Sequence, residues 1–305
     1  MSNSQALVNL ALKNLDCSQK DLAEKLGVSA GQISKWKKHG EYMSGEIKEK
    51  LNQICKIGDL PAELILKFGS VENATKWDKL FRYLADFAAE EGEGSYDCYQ
   101  LIDFDSWNMS LIICDLLDEL GVVLPQEAPE VPDYSDDAYG YNFFEDSHVK
   151  IVNAIFESFI GVNDFFTAYF AGLGNSDNTL EAYIELESCL LELATCKVDL
   201  DPEIAPNFTS FKLKWLRWYG DKISEIKHMA VQSNQPLREE LMKLVTKTAG
   251  QLSHEAEREV LGFNKGQLHP DIYMHELLQG MRTIHQVLPA ILEKLNIKLS
   301  EKDFL

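Results

Sequence analysis

The sequence predicts an all-α protein, with a small helical bundle at the N-terminus followed by a large α-helical region. Three observations carry that expectation. Apolar residues recur at three- and four-residue spacing along most of the chain, as in Leu7, Leu10, Ala11 and Leu15, or Trp77, Leu80, Phe81, Leu84 and Phe87. No alternating, β-rich run bounded by hairpin dipeptides competes with them. Capping residues and a glycine punctuate the first 40 residues where helix ends should fall.

The elements follow in order. A first helix is expected over about 4–15. Ser18 sits at an N-cap position, and Asp21 three places on can close the cap. A short helix, Gln19 to Leu26, turns Leu22, Ala23 and Leu26 inward. Gly27 then stands where a tight turn needs positive φ. Val28 is an apolar plug, and Ser29 caps a third helix running from Ala30 to about Lys37 with Ile33 and Trp36 buried. A fourth, about Gly45 to Cys55, brings Ile47, Leu51 and Ile54 to the same core.

The run from Ser18 to Trp36, SQKDLAEKLGVSAGQISKW, closely resembles the Cro/C1-type (XRE family) helix-turn-helix of phage and bacterial repressors. That resemblance covers about 55 residues and implies double-stranded DNA as the partner. In this family the second helix crosses the DNA backbone and the third lies in the major groove. Carried over residue by residue, it places Ser18 and Gln19 beside a phosphate. Ser29, Ala30, Gly31, Gln32 and Lys35 fall at the start of the recognition helix, with Lys37, Lys38 and His39 toward phosphates. Gln32 suits adenine, Lys35 guanine, and the Ala30 methyl a thymine methyl. Two positions depart from the pattern: Ala30 and Gly31 stand where relatives often carry longer polar side chains, and the loop Lys38 to Ser44 lacks the usual proline.

Beyond residue 58 the reading stays helical. Asp59-Leu60-Pro61 marks a helix start. Helical spacing runs to Phe87, Gly92-Glu93-Gly94 interrupts it, and a further stretch covers about Tyr96 to Leu120. Residues 122–147, with Pro125, Pro129, Pro132 and an acid-rich run without lysine or arginine, read as an acidic linker or loop. Long helices are expected over about 148–172, 178–199, 207–232, 235–262 and 270–297. The expected organisation is a DNA-binding domain (1–58), a helical region (59–121), the linker (122–147) and an α-helical C-terminal domain (148–305).

The first of those long helices carries Phe156, Phe159, Phe165, Phe166, Tyr169 and Phe170, so it is either a core element or a dimer interface. A basic island, Lys212 to Lys247, interleaves lysines with Trp215, Trp218 and Tyr219. It reads as a packed helix pair or as a second nucleic-acid surface.

Charge narrows the function. The chain carries −20, whereas residues 1–58 hold nine lysines against six acids, a net +3, which leaves −23 on residues 59–305. A surface that acidic repels phosphates, so DNA contact is expected from the first domain alone. Six cysteines without a C-x-x-C pair imply reduced thiols, a cytoplasmic setting and no zinc site. No signal peptide and no bilayer-length apolar run is read. His254 and Glu257 are an isolated i, i+3 pair, and no phosphate loop, dinucleotide fingerprint or nucleophile elbow occurs. No catalytic residue, metal or cofactor is therefore assigned. The expectation is a non-enzymatic transcriptional regulator, a repressor of phage or mobile-element type. It would act as a homodimer, with the acidic C-terminal region as a candidate docking site for a protein partner and no membrane association. The alternatives are a DNA-localised accessory protein whose acidic region recruits a partner, and an enzyme of unrecognised fold.

Overall fold

A computed structural model describes residues 3–91, 94, 96, 107–132, 142–175, 177–233, 237, 239–263 and 270–295; the side chains of 91, 270–276 and 279 are outside that description. Among the described residues the secondary structure is helical, without a strand. By contacts the chain groups into two compact units: Met1–Ile160 with Leu191–Trp215, and Gly161–Leu190 with Leu216–Leu305. These limits differ from the boundaries at 58, 121 and 147 read from sequence.

The first unit opens with α1 (Asn3–Leu15), α2 (Gln19–Leu26), α3 (Ala30–His39) and α4 (Gly45–Cys55). Leu7, Leu10, Leu22, Ile33 and Leu51 form their shared core, each nearly or wholly removed from solvent. α1 packs on α3, on α4 and also on α5 (Ala62–Phe68), so the bundle extends past residue 58. Gly69, at φ 83°, ends α5, and α6 (Val71–Glu91) follows. Phe68 stacks on Trp77 at a centroid separation of 5.3 Å, and Trp77 meets Phe81 at a tilt, 5.4 Å away. α7 (Asn108–Leu120) packs on α5 and α6. Of the helix expected over 96–120, residues 97–106 lie outside the described ones.

The described ends of segment 122–147 are attached to α6. The Trp77 indole N–H donates to the Pro125 carbonyl at 3.1 Å, Val122 is buried, and Phe143 and Phe144 pack on Tyr83 and Phe87. The acidic middle, 133–141, lies outside the described residues.

α8 (Ser147–Phe170) supplies both units. All six of its aromatics named above are buried, which assigns them to the core of this chain. A short 3₁₀ turn, Ala171–Asn175, ends it. The helix expected over 178–199 is instead two, α9 (Leu180–Glu187) and α10 (Leu190–Thr195). At the break the Ser188 hydroxyl bonds back to the Glu185 carbonyl, a local bond that competes with helix continuation. α11 spans Phe208–Gln232.

The helix expected over 235–262 is also broken. α12 (Lys243–Thr246) is one turn, and α13 (Ala249–Val260) starts afresh behind Thr248. The Thr248 hydroxyl accepts from the Gln251 N–H while the Gln251 side chain accepts from the Thr248 N–H. This capping box satisfies two donors and favours a new start over continuation. Residues 234–236 and 238 lie outside the described ones. Within the second unit the Tyr169 hydroxyl donates to the Glu255 carbonyl and the Tyr219 hydroxyl to that of Leu186. α14 (Pro270–Lys294) is the last helix among the described residues, and 296–297 of the expected span lie outside them.

Candidate nucleic-acid interface

The surface formed by α2, α3 and the loop after α3 is built by its caps. The Ser18 hydroxyl accepts from the Asp21 N–H, and the Asp21 carboxylate accepts from the Ser18 N–H at 3.0 Å. The Ser18 hydroxyl also donates to that carboxylate at 2.7 Å, and this bond, with the one from the Ser18 N–H, holds the Asp21 carboxyl below its ordinary pKa. Gly27, at φ 69°, closes α2, its N–H directed to the Ala23 and Glu24 carbonyls. A β-carbon there would force a left-handed backbone on an L-residue, so the sharp turn into α3 depends on glycine. Ser29 then caps α3 through the Gln32 N–H.

The first turn of α3 is open to solvent. Ser29, Ala30, Gly31, Gln32 and Lys35 are all exposed, while Ile33 and Trp36 anchor the opposite face. A β-carbon on Gly31 would meet only the Ser29 hydroxyl, at 3.7 Å, so this turn presents nearly bare backbone. Helix N-termini carry partial positive charge and free N–H groups, which attract phosphate. Gln19, the first residue of α2, is half-buried.

Two of the base-reading residues expected from sequence have partners. The Gln32 side-chain oxygen accepts from the Ser29 N–H at 3.0 Å and from its hydroxyl at 3.3 Å. A bidentate pair with adenine uses both the oxygen and the amide of glutamine. In this geometry only the amide is unengaged by the cap, so full adenine readout would break the box. Lys35 makes a long ion pair, 3.7 Å, with Glu41; both are exposed. Such a pair yields readily to a stronger acceptor.

The C-terminal end of α3 is fixed from two sides. The Gln5 amide of α1 donates to the Lys38 carbonyl at 3.1 Å, and the Trp36 indole N–H donates to the Tyr42 carbonyl at 3.2 Å. Lys37 is half-buried; Lys38 and His39 are exposed. The second bond leaves the Tyr42 ring 90% exposed while Met43 tucks into the core. Tyr42 is not among the site residues read from sequence, although an aromatic next to Glu41 in the loop after the recognition helix is an available signal. Tyrosine hydroxyls are regular phosphate donors.

Elsewhere the chemistry is sparse. Among the described residues no group of three or more histidines, cysteines or acids could hold a metal ion. The Cys55, Cys114 and Cys196 thiols are pushed by burial to about 11, 12 and 12, which leaves them protonated and unreactive. A cavity of about 380 Å³ opens between α5 and α7, lined by Leu64, Leu111, Cys114, Asp115 and the Lys67–Asp118 ion pair. Burial raises the carboxyl pKa of Glu63 at its edge. Its walls come from stretches some fifty residues apart, so no local pattern could have revealed it. The basic island is largely paired: Lys214 with Glu119, Lys222 with Glu185 and Glu225, Lys227 with Glu240, and Lys243 with Glu239 and Glu255. No helix among the described residues is long and apolar enough to cross a membrane. No family model, no curated protein and no solved structure matches the chain.

Proposed function

We propose that this chain is a DNA-binding transcriptional regulator of the Cro/C1 helix-turn-helix type, acting in the cytoplasm as a homodimer. Its function is occupancy of an operator, with repression as the outcome. The observation that carries this reading is the exposed, capped first turn of α3, set after the Gly27 turn and flanked by Lys35, Lys37 and Lys38. The charge split supports it, because residues 1–58, which hold this turn, carry +3 while residues 59–305 carry −23. α3 enters the major groove, its bare turn at Ala30 and Gly31 allowing close backbone approach. Lys35 leaves Glu41 for a guanine, and Lys37, Lys38 and Tyr42 meet phosphates. Paired heads on a two-fold operator supply the affinity that one small head lacks.

A second reading has its own support. Small residues at 30 and 31, and a Gln32 oxygen held in the cap, favour sequence-tolerant binding by an accessory protein whose acidic region recruits a partner. Selection of bound sequences from a random duplex pool with the full chain separates the two. The regulator reading expects enrichment of one short palindrome. Retention of DNA without enrichment favours the accessory role, and no retention at low salt rejects both.

A further inference from the structure

From Leu277 on, the described side chains of α14 leave an amphipathic face open to solvent. Every described side chain from 277 to 295 is exposed except Leu292, which is half-buried. Leu277, Leu278, Met281, Ile284, Val287, Leu288, Ile291 and Leu295 each leave 41–62% of their surface in water. Six of them, Leu277, Met281, Ile284, Leu288, Ile291 and Leu295, follow alternating spacings of four and three residues. That is the a/d repeat of a coiled-coil seam, and at 3.6 residues per turn the six fall within an arc of about 80°. Arg282, Gln286, Pro289 and Glu293 occupy the opposite side.

We propose that this seam pairs with the same seam of a second copy, making α14 the self-association element of the protein. Three physical arguments select that occupant. The repeat is self-complementary, since a and d knobs of one helix fit the holes of an identical one. The surface suffices: eight half-exposed apolar side chains offer on the order of 700 Å² per copy, so a symmetric pair buries about 1,400 Å², within the span of specific interfaces. The charge permits it, because residues 277–295 carry only Arg282, Glu293 and Lys294 as fixed charges, against −23 for residues 59–305 as a whole. Two copies can therefore meet here without the repulsion that the rest of the surface imposes.

The helix also gains more from pairing than an ordinary one. Gly280 and Pro289 both lower its intrinsic stability, and its described side chains from 277 on contribute little burial to hold it. Pro289 sits off the seam, where its ring and missing N–H leave the contact face intact. Pairing thus orders and buries one element in a single step. This inference deepens the paired-head reading above, and its test contains no DNA, so either can fail alone.

The test is sedimentation equilibrium of the full chain without DNA, with circular dichroism alongside. The wild-type chain is expected at twice the chain mass at micromolar concentration. Ile284→Glu with Ile291→Glu places two carboxylates in the seam and is expected to weaken association about a hundredfold or more. Both positions are exposed in the single chain, so its thermal unfolding at monomeric dilution should not change. Gln286→Glu, on the outer side, adds charge away from the seam and should leave the dimer intact. A monomeric wild-type chain, a dimer that survives the double substitution, or equal loss from Gln286→Glu would each overturn the proposal.

Discussion

Gln32 and Lys35 lie three residues apart on one exposed turn, yet the structure gives them different work. Gln32 closes the cap of α3 through the Ser29 N–H, whereas Lys35 holds only a long solvent-exposed pair with Glu41. Removing the cap acceptor should cost stability; removing the lysine should not. Gln32→Ala is therefore expected to destabilise the first helices by about 1 kcal/mol, in the range of lost caps. Lys35→Ala should leave unfolding within about 0.5 kcal/mol of wild type. On the regulator reading Lys35→Ala nevertheless changes which sequences bind, at a cost of roughly 1–3 kcal/mol at the preferred site. Chemical denaturation and duplex titration of the two full-length variants check the separation. Equal stability loss from both would refute the division of roles.

At the scale of elements, one close approach sets a testable constraint. α8 meets the start of α13 at Gly161, where an added β-carbon would lie 2.2 Å from the Ala249 carbonyl oxygen and 2.8 Å from its carbon. Both atoms belong to backbone, so no side chain can swing aside. Gly161→Ala should therefore force the helices apart and cost about 1–3 kcal/mol, the usual range for overpacking. A lowered midpoint in thermal unfolding measures it, and an unchanged midpoint would contradict the contact. Sequence alone could not show this requirement, because it depends on a residue 88 positions away. Ser18, Gly27 and Ser29 mark their helix ends by short-range chemistry, and the limits of α2 and α3 follow from it. The breaks at Ser188 and Thr248 were missed because apolar spacing continued through them. Of the two, Thr248 with Gln251 was a legible capping box. At the candidate interface, the exposed positions of Lys35 and Gln32 on α3 were legible, but their engagement was not: the Glu41 pair and the cap oxygen are geometric facts.

Over the whole molecule, charge on the regulator reading decides where a duplex can be touched. Residues 1–58 carry +3 and residues 59–305 carry −23, so the two parts attract and repel phosphates respectively. The basic island is the one feature able to upset that division. Lys214 is held by Glu119, and Lys212 lies over the Phe208 ring, while Arg217 is exposed. A lysine already neutralised by a carboxylate releases fewer counterions on meeting DNA, so its share of the salt dependence is small. Two full-length variants put the division to a measurement. Lys37→Gln with Lys38→Gln should weaken binding to random duplex uniformly and flatten the logarithmic salt slope by about 2, one for each lost phosphate contact. Lys212→Gln, Lys214→Gln and Arg217→Gln together remove three charges and should leave that slope nearly unchanged. Titrations at two salt concentrations, on a duplex without a preferred site, compare the variants directly. If the triple variant flattens the slope as much as the double one, α11 also meets DNA and the acidic part of the chain is not electrostatically excluded from it.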